Sequence, residues 1–136
     1  VEEHIEAGKI ANDLGIAVDA FTMIYPWEDE QDLIDTTEMV KQIAQNPVNG
    51  VDEKGRTMKN HVDSTIMTPY QGTQFFDMIH LGELPGVKMI PEIDPGSLYY
   101  KGNHAGSGWP YMKTRLPREQ YEEAQAFRNS LRPKYR

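Results

Sequence analysis

Ile16-Ala17-Val18-Asp19-Ala20-Phe21-Thr22-Met23-Ile24-Tyr25, closed by Pro26 and followed by Trp27-Glu28-Asp29-Glu30-Gln31-Asp32, is the stretch whose reading decides the fold. The first ten residues are largely apolar and rich in β-branched and aromatic types, the composition of a strand covered on both faces. Pro26 cannot continue a ladder. The acidic group Glu28, Asp29, Glu30 and Asp32 then sits where the positive end of a helix dipole favours carboxylates. Leu33, Thr37, Val40, Ile43 and Ala44 recur at helical spacing until Asn46-Pro47 breaks the pattern. On the other side of the strand, Val1, Ile5, Ile10, Ala11 and Leu14 form a helical stripe, and Gly15 stands where a left-handed residue ends a helix.

Further along, residues 47–60 turn polar and carry Asn49-Gly50 and Lys54-Gly55, a loop or a small exposed hairpin. Strand character returns at His61-Val62-Asp63-Ser64-Thr65-Ile66-Met67-Thr68 and is cut by Pro69. Tyr70-Gln71-Gly72-Thr73 supplies a turn and a helix N-cap, and a short helix runs through Phe75, Phe76, Met78 and Ile79 to Gly82. The order helix, strand, helix, strand, helix, with connections longer than a hairpin, predicts parallel strands in an α/β sheet or barrel. Beyond Leu84 the frequent Pro and Gly predict an irregular surface segment, and Tyr99, Tyr100, Trp109 and Tyr111 predict that it packs on something apolar. Pro117 opens a last helix with the stripe Tyr121, Ala124, Phe127 and Leu131, and Pro133 ends it.

The chain has 136 residues, 38% hydrophobic and 26% charged, enough for one ordinary core. Fourteen Lys and Arg against 21 Asp and Glu give a net charge of −7, which argues against a surface that works by neutralising nucleic-acid phosphates. Without cysteine the chain has no disulfide, no thiolate zinc site and no ligand of its own for an iron–sulfur cluster. The longest apolar stretch is about half of a membrane span. His4, His61, His80 and His104 lack the spacing of a helical zinc pair, and Ser64, Ser97, Ser107 and Ser130 stand in no nucleophile-elbow context, so no metal and no catalytic residue is assigned.

Ligands of parallel sheets gather at the carboxyl ends of the strands. Two such ends are legible, Tyr25-Pro26-Trp27-Glu28-Asp29 and Thr68-Pro69-Tyr70-Gln71-Gly72-Thr73. They offer backbone polar groups freed from the ladder, flat apolar surface and a carboxylate, which suits an adenine or ribose. Without a glycine-rich loop they suit a phosphate less well. The plainer readings are a tight turn with packed rings for Trp27 and Tyr70, a dipole cluster for Glu28 to Glu30, and core filling for the methionines.

At these strand ends the sequence resembles the second half of a radical S-adenosylmethionine core. Phe21-Thr22-Met23-Ile24-Tyr25-Pro26-Trp27-Glu28-Asp29-Glu30 is similar to the strand ending in Gly-x-Pro-Gly-Glu-Thr, and Thr68-Pro69-Tyr70-Gln71-Gly72-Thr73 to the later strand ending in Thr-Pro-x-Pro-Gly-Thr. Pro-Trp-Glu in place of Pro-Gly-Glu resembles cobalamin-binding members, notably the anaerobic magnesium-protoporphyrin monomethyl ester cyclase group. Ile24 stands where a glycine is usual, and Gln71 where a proline is common. The likeness covers residues 1–83, with a weaker echo at Tyr111-Met112-Lys113-Thr114.

That resemblance implies an α/β fold, the C-terminal part of a partial (β/α)6 TIM-like barrel over 1–83, followed by an irregular aromatic segment and terminal helix over 84–136. It implies a cytoplasmic enzyme that uses S-adenosylmethionine and a 4Fe-4S cluster, with cobalamin as a further cofactor. The Cys-x3-Cys-x2-Cys loop and a cobalamin domain would belong to a preceding N-terminal half, so this chain alone is expected to be inactive and to pair with that half or with itself through an open sheet edge. Met23, Ile24 and Tyr25 would contact the adenine, Thr68, Pro69 and Tyr70 the neighbouring wall, and Glu28 would make a polar contact. The competing expectation is a small non-catalytic α/β interaction module whose aromatic tail is the docking surface.

Overall fold

The computed structural model of the protein describes residues 1–70, 72–89 and 112–133. Helix α1, Glu2–Asp13, ends in a turn at Gly15, whose φ of 80° belongs to the left-handed region. A Cβ at Gly15 would stand 2.9 Å from the Asn49 carbonyl oxygen, so the turn also needs the missing side chain. Strand β1 is Asp19–Ile24 and helix α2 is Glu30–Gln45. Asp29 caps α2, its side chain accepting from the Asp32 N–H while the Asp32 side chain accepts from the Asp29 N–H. The polar 47–60 stretch is the expected small exposed hairpin, with an antiparallel bridge between Val51 and Thr57. Strand β2, His61–Ile66, is followed by α3, Gln74–His80, which Thr73 caps as expected. Two short strands, β3 at Lys88–Met89 and β4 at Met112–Lys113, pair antiparallel before α4, Arg118–Ser130.

β1 and β2 are parallel, with register from Asp19 opposite His61 to Ile24 opposite Ile66, and α2 lies in the crossover between them. The described residues are therefore mixed α/β, with four helices and two two-stranded sheets, neither of them closed. No helix among them is long and apolar enough to cross a membrane.

The register sets which residues share a face. Ala20, Thr22 and Ile24 lie beside Val62, Ser64 and Ile66 on the helix-covered face, where Ile24 and Ile66 pack with Leu33 and Tyr121. Phe21 and Met23 point the other way, 72% and 45% exposed. The expectation of a strand covered on both faces is thus corrected at Phe21 and Met23, while His61 at the start of the same face is buried. The apolar stripe of α1 is also less buried than its spacing predicts. Ile10 and Leu14 are exposed, and the helix instead turns Gly8 and Asn12 inward, Gly8 facing Ile43 of α2.

A buried amide network fastens the amino-terminal end of the sheet. Asn12 and Asn60 exchange reciprocal side-chain hydrogen bonds of 2.7 and 2.8 Å. Asn60 also accepts from the Val18 N–H and donates to the Ile43 carbonyl, while Asn46 donates to Asn12. The network joins α1, α2 and both strands, and its paired donors and acceptors avoid the cost of burying unsatisfied amides.

The two outer edges of the main sheet are treated differently. The N–H groups of His61 and Met67 bond the carbonyls of Val18 and Ile24, so β2 directs the polar groups of Val62 and Ser64 away from β1. There α4 meets them. Asn129 accepts from the Ser64 N–H at 2.8 Å and donates to the Ser64 carbonyl at 3.0 Å, as a neighbouring strand would, with Gln125 on the same carbonyl and Arg132 on that of Val62. Arg132 also pairs with Asp63. The edge of β1 at Phe21 and Met23 has no such cover among the described residues.

Candidate functional site

The carboxyl ends of β1 and β2 emerge side by side, joined by the Met67 N–H to the Ile24 carbonyl at 2.9 Å. Past Ile24 the chain folds tightly. The Glu28 N–H bonds the Tyr25 carbonyl, and the Glu28 carboxylate reaches back to accept from the Tyr25 N–H, both at 3.2 Å. This turn stacks Tyr25 on Trp27 with centroids 4.7 Å apart, and Phe75 of α3 joins at 5.0 Å from Trp27. The packed-ring reading therefore holds for Trp27, and the three rings tie the end of β1 to α3. On the β2 side Pro69 is buried, Thr68 half-buried and Tyr70 50% exposed, its carbonyl held by the Thr73 hydroxyl at 2.7 Å.

The segment leading into α4 straps this loop down. The Arg115 N–H donates to the Pro26 carbonyl at 2.9 Å and its guanidinium to that of Trp27 at 3.2 Å. The Tyr121 hydroxyl lies 3.1 Å from the Pro26 carbonyl and 2.8 Å from that of Glu28, and accepts from the Leu116 N–H. Backbone groups of this loop were expected to be open to a ligand. The carbonyls of Pro26, Trp27 and Glu28 are instead taken by residues 115–121, since a turn carrying three orphan carbonyls needs donors from somewhere.

Burial governs the titration here. Desolvation pushes the Glu28 carboxyl above its ordinary value, with the Tyr25 N–H and the Arg128 charge opposing. Arg128 is wholly buried, donating from Nε to the Thr37 hydroxyl and from Nη2 to the Leu33 carbonyl, while Nη1 has no hydrogen-bond partner among the described residues. Its burial lowers the guanidinium below the usual range, with the Glu28 charge opposing. No group of metal-binding side chains occurs among the described residues.

Of the expected site residues, Tyr25, Glu28, Thr68, Pro69 and Tyr70 gather at one end of the sheet. Met23 lies on the bare face, and Ile24 is wholly within the core with its carbonyl bonded to Met67. Arg115 and Tyr121 hold the loop and Arg128 fastens α4 to α2 behind it, and none of the three is singled out for this by the sequence. The signal that could have found Arg128 is its place on the Tyr121–Ala124 stripe, where a charge must be accommodated in the core. The aromatic tail, with Tyr99, Tyr100, Trp109 and Tyr111, lies outside the described residues. Comparison with family models, with curated proteins and with solved structures returns no match to the chain.

Proposed function

We propose that the chain is the C-terminal part of a partial (β/α)6 barrel of a radical S-adenosylmethionine enzyme, of the cobalamin-binding, tetrapyrrole-cyclase-like class. The observation that carries this reading is the parallel, in-register pairing of β1 and β2, which brings the two Pro-aromatic strand ends to the same end of the sheet. The unequal edges support it as well. A strand sealed at β2 and open at β1 is what the last strand pair of a partial barrel needs if earlier strands add at β1.

The residues present suit one part of the cofactor set. Tyr70 and Phe75, just before α3 and at its start, keep exposed ring surface at the carboxyl end of the strands, the apolar surface that a purine would need. Nothing here fits the 4Fe-4S cluster, because the chain has no cysteine. The bound S-adenosylmethionine would supply the 5′-deoxyadenosyl radical on reduction by a cluster held elsewhere. This chain's share is to orient the adenosyl group and to keep the loop at Pro26–Glu28 rigid through Tyr121 and Arg115.

The test is to express this chain together with the polypeptide encoded upstream of Val1, reconstitute it anaerobically with iron and sulfide, and add reductant and S-adenosylmethionine. A Cys-x3-Cys-x2-Cys motif upstream and 5′-deoxyadenosine that disappears when those cysteines become alanine are expected. Absence of the motif, or a reconstituted cluster that forms no 5′-deoxyadenosine, would overturn the reading.

A further inference from the structure

Helices α2 and α4 lie side by side on the surface away from the bare sheet face and leave a groove of about 560 Å³ between them. Its floor is apolar. Leu33 and Ala124 lie deep, and Ile34 and Phe127 stand on either side, 59% and 46% exposed, more than their size favours. Its rim is acidic: Glu30 and Glu38 on α2 and Glu123 on α4 border it, and the rim cation, Lys41, is 3.6 Å from Glu38.

From this arrangement we infer that the groove is a docking site for a basic amphipathic helix of a partner protein. The secondary structure of the occupant follows from the walls. Both are helices whose mid-helix backbone groups are bonded internally, so the groove offers an incoming strand no ladder, and a segment that buries itself there must satisfy its own backbone. The length follows too, since the lining runs from Glu30 to Lys41 on α2 and from Gln120 to Phe127 on α4, walls of about 18 and 12 Å and room for about two to three turns. The charge follows from the rim. Three carboxylates around an apolar floor complement a helix with Leu-like side chains along one stripe and Lys or Arg beside it. A second copy of this chain, at net charge −7, would bring like charge to the same rim. The inference does not depend on the radical-enzyme reading.

The probe is a fluorescein-labelled 18-residue helical peptide with leucines at i, i+3, i+4 and i+7 and lysines elsewhere, alongside a second peptide with glutamate replacing lysine. Anisotropy would be read on the 136-residue chain, on Ile34→Ser/Phe127→Ser and on Glu30→Gln/Glu123→Gln, all at exposed positions, with circular dichroism to confirm the fold. The lysine peptide is expected to bind, at least tenfold more weakly to each double variant and more weakly with added salt, and to shift backbone amide resonances along α2 and α4. The glutamate peptide should not bind. Equal affinity for wild type and both variants, amide shifts confined to β1, or a self-dimer that Phe127→Ser dissociates would each overturn the proposal.

Discussion

Glu28 and Asp29 are chain neighbours whose carboxyls are driven in opposite directions. Asp29 lies in the open at the helix N-terminus, and the Asp32 N–H it caps holds it below the ordinary aspartate value, with Arg115 adding to this. Glu28 turns inward, and desolvation raises it above 4.5. The linkage signs differ accordingly. Stability contributed by Asp29 is present above its unfolded value and lost as pH falls through its folded one. For Glu28 the folded chain holds its proton more tightly than the unfolded chain. Its contribution is therefore full below the unfolded value and lost as pH rises through the folded value. Glutamine at position 28 keeps an acceptor for the Tyr25 N–H and cannot ionise. Glu28→Gln should therefore match wild type near about pH 4 and become progressively more stable than wild type toward about pH 7, read as the difference in urea midpoints. A difference that stays constant with pH would show that Glu28 is not desolvated in the folded chain. The sequence gives the residue type and the acidic cluster; which of the cluster turns inward depends on a back-bond within the turn and on an arginine a hundred residues away.

Among the elements, α4 shows most clearly what periodicity can and cannot tell. Its span and its inward Tyr121 and Ala124 are readable from spacing alone. Phe127, expected on the same stripe, is largely exposed, and Arg128 takes the buried position beside it. The amides at Gln125 and Asn129, one turn apart, read as an ordinary polar face, yet they stand in for a strand along β2. A side chain that imitates a backbone leaves no sequence period, and neither do two-residue strands such as β3 and β4, which fall where the chain reads as irregular. Asn129→Leu keeps the volume and removes both bonds to Ser64. It should cost about 1–3 kcal/mol, the penalty of leaving a partly buried N–H without its acceptor. Amide exchange at Ser64 should accelerate by more than the global loss explains, while Met67, bonded to β1, slows or speeds only with global stability. Unchanged protection at Ser64 would mean that α4 does not seal this edge.

At the scale of the molecule, the parallel order was legible because strand and helix periods alternate with long connections, whereas the faces and edges were not. An apolar run such as Ile16–Tyr25 looks the same whether one face of the strand is covered or both, and the asymmetry becomes visible only once register assigns Phe21 and Met23 to a common side. That asymmetry has a consequence for the isolated chain. With β2 sealed, sheet growth is confined to β1, whose outer edge presents backbone groups at Phe21 and Met23 next to two large exposed side chains. Such an edge pairs with whatever strand is available, and in a solution of this chain alone that is the same edge of a second copy, related by a two-fold axis. Sedimentation should therefore show a concentration-dependent dimer, with a thermal midpoint that rises with protein concentration. Phe21→Lys places a charge at the centre of the edge strand without touching the core, because Phe21 is 72% exposed. The variant should be monomeric, with an unchanged far-ultraviolet spectrum and a midpoint independent of concentration. The α2–α4 groove lies elsewhere, so Phe21→Lys should leave binding of the lysine peptide intact. A wild-type chain that stays monomeric at every concentration would show that the β1 edge is protected after all, and would remove the edge asymmetry as support for a barrel that continues through β1.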